Sequence, residues 1–161
     1  MDVTAAKPLV VDPAGGEAIW FLGTLAIIRV SGEDTGGRYA LFEVLLPKDA
    51  APPFHSHPQD ETFIVLDGEI DFWIGDDRSR CTAGSLAFAP AGTPHSFLVR
   101  SDVARALTLS TPAGIEQMVR QLGTPAEHRG LPPDDQYPSR ERIEAVNRKL
   151  GIVFHGPPPT P

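Results

Sequence analysis

Cysteine, basic residues and long apolar runs are all scarce in this chain. A single cysteine, Cys81, among 161 residues excludes an internal disulfide. It also gives secretion no support. Fourteen basic residues against 21 acidic ones leave a net charge of −7. A nucleic-acid binder needs a basic footprint to displace counterions, so no nucleic-acid partner is expected. The longest apolar stretch, 18–28, is interrupted by Gly23 and Thr24 and is too short to span a bilayer. No membrane partner is expected either. The opening MDVTAAKPLVVD has no basic start followed by an apolar run, so the expectation is no signal peptide and a cytoplasmic location. The length fits one domain with a core that needs no covalent staples.

Proline, by contrast, is abundant and unevenly placed. None of the 17 prolines falls within 14–46, 59–89 or 95–111. Proline cannot donate to a sheet ladder, so these windows are where strands belong. Residues 24–30, 39–46, 62–66 and 70–74 are short runs rich in strand formers. Asp67-Gly68 lies between two of them and predicts a type I′ hairpin. About ten short strands before residue 111 predict an all-β barrel or sandwich. Beyond it the period changes. Ile115, Met118, Val119 and Leu122 mark a helix closed by Gly123. A second helix starts at Ser139, carries Ile143, Val146 and Leu150, and ends at Gly151. The tail 157–161 is expected to be extended.

Of five histidines, three sit in two short segments. In the first, His55 and His57 stand two apart and project to one strand face. Pro58 then turns the chain, and Glu61 opens the next strand with Phe63 and Val65 on its own face. In the second, the turn 90–94 returns the chain and delivers His95, with Phe97 and Val99 sharing its face. Three neutral imidazoles and a carboxylate suit one divalent transition metal per chain: Fe, Ni, Mn, Zn, Co or Cu. Four protein ligands leave open positions on an octahedral ion.

The pattern His55-x-His57-x-x-x-Glu61-x6-Gly68, followed by Gly84-x5-Pro90-x-Gly92-x-x-His95, resembles the two motifs of the metal-binding cupins. The resemblance implies a cupin (double-stranded β-helix, jelly-roll) barrel over about 18–111, with a short C-terminal helical extension over about 113–155. It also implies a metal held inside by His55, His57, Glu61 and His95. Two positions depart from the family. Asp49 replaces a glycine, which bears on the turn before the first motif. Val99 replaces a frequent asparagine, which tilts the pocket toward apolar ligands. The stretch 112–127, with 130–132 after it, resembles the extension of single-domain quercetinase-like cupins, which open flavonols with dioxygen. The resemblance therefore implies a metal-dependent dioxygenase acting on a hydrophobic, aromatic hydroxylated small molecule, with Glu61 as general base. Phe63, Val65, Phe97 and Val99 are the expected pocket lining, with ordinary barrel filling as the equal alternative. A redox-neutral cyclase or isomerase of a polyketide-like substrate and a non-catalytic binding module are the other readings. Cupin barrels expose sheet edges and often pair, so the resemblance also implies a two-fold homodimer. His128 and His155 are expected at the surface. Cys81 is expected to be a small residue on a barrel strand, and Trp20 and Trp73 core or interface aromatics.

Overall fold

The proline-free windows become sheet. In the computed structural model, which describes residues 5–133 and 137–161, the strands are β1 (Glu17–Phe21), β2 (Thr24–Val30), β3 (Ala40–Pro47), β4 (Phe54–Ser56), β5 (Asp60–Asp67), β6 (Ile70–Ile74), β7 (Asp77–Cys81), β8 (Leu86–Ala89), β9 (His95–Val99), β10 (Val103–Thr111), β11 (Thr124–Pro125) and β12 (Val153–Gly156). The helices are α1 (Gly32–Thr35), α2 (Ile115–Leu122) and α3 (Arg140–Leu150). Residues 1–4, part of the stretch read above for a leader, lie outside the described residues. No helix among those described is long and apolar enough to cross a membrane.

Two antiparallel sheets face each other. One runs β11-β1-β2-β3-β10-β5-β8 and the other β12-β4-β9-β6-β7. The period-2 burial of β5 and β10 puts Glu61, Phe63 and Val65 inward on one strand and Ala104, Ala106, Thr108 and Ser110 inward on the other. Inside, Phe63, Val65, Ile70, Phe72, Cys81, Val99 and Ala106 pack into one cluster. Each large apolar side chain buried there contributes about 1.5–3 kcal/mol. Cys81 is buried, as expected of a barrel-strand residue, and burial raises its thiol pKa.

Asp67-Gly68 does not make a hairpin. Its flanking strands lie in different sheets, so the turn carries the chain across the barrel. Gly68 takes φ +86, and a Cβ there would come within 2.5 Å of the Val103 carbonyl oxygen. The glycine is thus required by a crossing rather than by a two-residue loop. The I′ geometry occurs instead at Leu22-Gly23, with φ 48 and 78, between β1 and β2. Strand partners are chosen by long-range pairing, which a local Asp-Gly signal does not report.

The C-terminal extension holds more than helices. α2 and α3 form where the period and Ser139 place them, and Gly151 ends α3 in the left-handed region. Gly123, however, is extended at φ −94. It is needed for space: a Cβ would collide with Ile19 Cγ2 and lie 2.7 Å from the Val119 oxygen. β11 then pairs with β1, and β12 with β4. The extension therefore adds an edge strand to each sheet, which the helical reading missed. Trp20 is partly buried there, and its indole N–H donates to the Gly130 carbonyl at 3.0 Å.

Candidate metal centre

Sheet pairing builds the site from both sides of the barrel. His55 on β4 is the register partner of His95 on β9. Glu61 comes from β5 in the opposite sheet, and His57 from the connection between β4 and β5. His55 and His95 thus come from neighbouring strands of one sheet, and Glu61 meets them from across the interior. The turn 90–94 is pinned by Thr93 N–H to the Pro90 oxygen at 3.0 Å and by Gly92 N–H to the His57 oxygen at 2.9 Å. That second bond ties the two histidine segments together.

Each imidazole is aimed by its own backbone. Nδ1–H of His55 donates to the Pro53 carbonyl at 2.7 Å, that of His57 to Gln59 at 3.1 Å, and that of His95 to Thr93 at 2.8 Å. A carbonyl accepts only, so each Nδ1 carries a proton, and each Nε2 faces the centre, a bare ligand atom in the neutral ring and a donor in the protonated one. His57 and His95 direct Nε2 at Glu61 Oε2, at 2.9 and 3.1 Å. His57, Glu61 and His95 are only 4%, 6% and 3% exposed, while His55 is half-buried. The centre therefore meets solvent on the His55 side.

The electrostatics are those of a site built for a cation. Burial, with the neighbouring His95, pushes His55 down to about 4. Burial would raise Glu61, but hydrogen bonds from His57 and His95 outweigh it and hold the carboxyl at about 2. Burial likewise lowers His95, and the Glu61 hydrogen bond and charge reverse that, so it ends above its ordinary value. One ligand atom from each of the four residues lies within 4.8 Å of the others. Ligand atoms at about 2.1 Å from one ion lie about 3–4.2 Å apart, so the four side chains need to draw together to hold it. Nitrogen lone pairs and a carboxylate in a water-poor interior fit a divalent transition metal.

The expected lining residues differ in exposure. Phe63 stands with its ring centroid 6.3 Å from that of His95 and 6.4 Å from that of Phe97. Val65 and Val99, at 1% and 0% exposure, are sealed more completely than Phe63, which packs in the same cluster. Asp49, at the glycine position of the motif, takes φ 64 and so keeps the left-handed turn. His128 and His155 are exposed, as expected, although His155 Nε2 lies 2.7 Å from Ser56 Oγ. Sequence reading missed Phe154. It is the β12 partner of His55, so it shares the ligand's face, and it is 50% exposed. No local pattern marks it, because its neighbour is set by a pairing across the length of the chain.

The barrel has the fold of a cupin, and residues 42–111, which carry the three-histidine, one-carboxylate cluster, match the cupin domain family. Among curated proteins it is similar to quercetin 2,3-dioxygenase of Bacillus subtilis, 30% identical over 152 residues, covering 91% of this chain and 44% of that protein. It is also similar to the dimethylsulfoniopropionate lyase DddQ of Ruegeria pomeroyi, 30% identical over 100 residues, covering 55% of this chain and 50% of that protein. The chain thus spans about half the length of these relatives. Among solved structures, an RmlC-like cupin from Shewanella frigidimarina matches the fold with a TM-score of 0.59 at 15% identity, over 68% of this chain and 96% of that one.

Proposed function

We propose that the protein is a metal-dependent dioxygenase that opens a hydrophobic, aromatic hydroxylated compound of flavonol type. The observation that carries this reading is the centre itself: three aimed imidazoles and a carboxylate at the wall of an apolar, phenylalanine-rich interior. Similarity to the Bacillus quercetin dioxygenase along most of the chain supports it. A bound divalent metal would supply open coordination positions and the redox chemistry that dioxygen requires. Phe63 and Phe97 form the aromatic wall, Val65 and Val99 set its depth, and Phe154 receives the ring at the mouth. Glu61 takes the hydroxyl proton. Held by His57 and His95 it is a weak base, so that role belongs to the arrangement in which both Nε2 atoms are turned to ligation.

Oxygen uptake by the metal-loaded chain on a panel of flavonols and simpler hydroxylated aromatics tests the reading. Consumption of oxygen with ring opening is expected. The lyase among the relatives favours a second reading, in which the metal acts as a Lewis acid on a redox-neutral step. Turnover without oxygen consumption would put that reading in its place.

A two-fold homodimer also belongs to this proposal, on different grounds from edge exposure, since β11 and β12 already cover one edge of each sheet. The outer face of the larger sheet carries the row Ile27, Glu43, Leu107, Ile64, Leu86 and beside it Leu41, Leu109, Thr62, Phe88. Leu86 and Phe88 are 60% and 48% exposed. Glu43 is paired with Arg29 at 2.8 Å and with Arg105 at 3.5 Å, so it is not a bare charge on that face. Light scattering that finds only monomer at high concentration would remove the dimer. The buried lone Cys81 suits a reducing, cytoplasmic setting.

A further inference from the structure

Ser110 is the polar group that the metal centre leaves unexplained. It is 0% exposed on β10, and its Oγ has no hydrogen-bond partner among the described residues. An unpaired hydroxyl in the interior is destabilising, so its presence calls for a partner in some state of the protein. Register supplies one. Ser110 stands directly opposite Glu61 in the β10–β5 ladder. Cross-strand partners project to the same face with Cβ atoms about 4.5–5.5 Å apart. Its other partner, Ala40 on β3, offers only a methyl group.

Ser110 and Glu61 are not joined in the present arrangement. Glu61 Oε2 is occupied by Nε2 of His57 and of His95. A nitrogen that ligates a metal cannot also donate to a carboxylate. With a metal in the cluster, Glu61 loses both bonds, and a ligating carboxylate in a dry interior is held by a donor of its own. We propose that Ser110 is that donor: its hydroxyl holds the Glu61 carboxylate when the imidazoles turn to ligation, which makes Ser110 a positioning residue of the centre. A change of χ1 carries Oγ between staggered wells without moving the backbone. The inference rests on the metal-binding part of the reading above and is independent of the reaction.

Ser110→Ala and Ser110→Thr in the full chain test it, through metal-free thermal stability and Zn(II) affinity by chelator competition. Metal-free Ser110→Ala is expected to be at least as stable as the parent, because deleting an unpaired buried hydroxyl is neutral or stabilising. Its Zn(II) affinity is expected to fall about 10–100-fold, the usual worth of a group that orients a metal ligand. Ser110→Thr keeps the hydroxyl and is expected to restore the affinity. Should the added methyl overpack, Ser110→Cys, a weaker donor of similar size, is expected to fall between parent and alanine variant. Affinity of Ser110→Ala within about twofold of the parent would overturn the proposal. So would a loss of metal-free stability that accounts for the whole drop. Turnover enters neither measurement, so failure to find a substrate leaves the result readable.

Discussion

Glu61 and Asp71 invite comparison, because each is a strand carboxylate almost sealed from solvent and each is held at about 2. Their partners differ in kind. Asp71, on the outer face of β6, is gripped by Arg80 at 2.8 Å and by Arg78 and Arg100 at 3.0 Å each. Guanidinium groups only donate and stay charged, so that cluster has one state. Glu61 faces imidazoles, whose Nε2 is a donor when protonated and a ligand when not. The same acidity is thus a permanent fastening in one place and a reassignable contact in the other. Burial and pKa alone do not separate a structural carboxylate from a functional one; the chemistry of the partner does.

The largest effect expected is on metal content. Elemental analysis should find about one transition metal per chain, and His57→Ala should lose most of it, since three ligands cannot replace four buried ones. Full retention in both His57→Ala and His95→Ala would leave Glu61 no different in kind from Asp71. Next comes Glu61→Gln, which keeps size and an oxygen but cannot take a proton. We expect it to retain much of its metal and to lose about 10²–10⁴-fold in turnover. Near-parental turnover with metal retained would remove Glu61 as base.

Asp71→Asn should leave metal content unchanged and cost about 1–2 kcal/mol of stability, allowing for solvent around the half-exposed Arg78 and Arg80. The pH window follows from the depressed pKa. The Asp71 contribution is complete above the unfolded value of 3.8 and is lost as pH falls toward about 2. Denaturant melts of parent and variant should therefore differ at neutral pH and converge across that window. A gap that stays constant to pH 2 would show that the arginines do not act through the Asp71 charge. The smallest effect is reserved for Asp49→Gly, which touches neither carboxylate. Relief of left-handed strain is offset by a floppier unfolded chain, so stability should move by less than about 0.5 kcal/mol, with metal content unaltered.

How much of this was legible beforehand depended on distance along the chain. His55, His57, Glu61 and His95 were readable because their spacing and the turn at 90–94 are local features. Both helices of the extension were readable from period and caps. Which sheet a strand joins was not, since the partners of β5 and β6 lie elsewhere in the sequence; the Asp67-Gly68 hairpin failed on that account. Ser110 and Phe154 stayed hidden for the same reason, each acquiring its meaning from a register partner rather than from its neighbours. Gly123 was read correctly as a helix end but for the wrong cause, crowding against Ile19 instead of a left-handed cap.

β4 is three residues long and lies between β9 and β12, the last strand of the chain. Ser56 and His155, joined across that ladder, are 99 positions apart. Loop-closure entropy makes such pairings late events in folding. As the polypeptide leaves the ribosome, Glu61, His57 and His95 can take their places as soon as the barrel closes. His55 gains its second flanking strand only when residue 156 has emerged. The order of synthesis thus places a delay between building the barrel and finishing the ligand strand at its mouth, leaving that strand open along one edge while the rest of the interior has already packed.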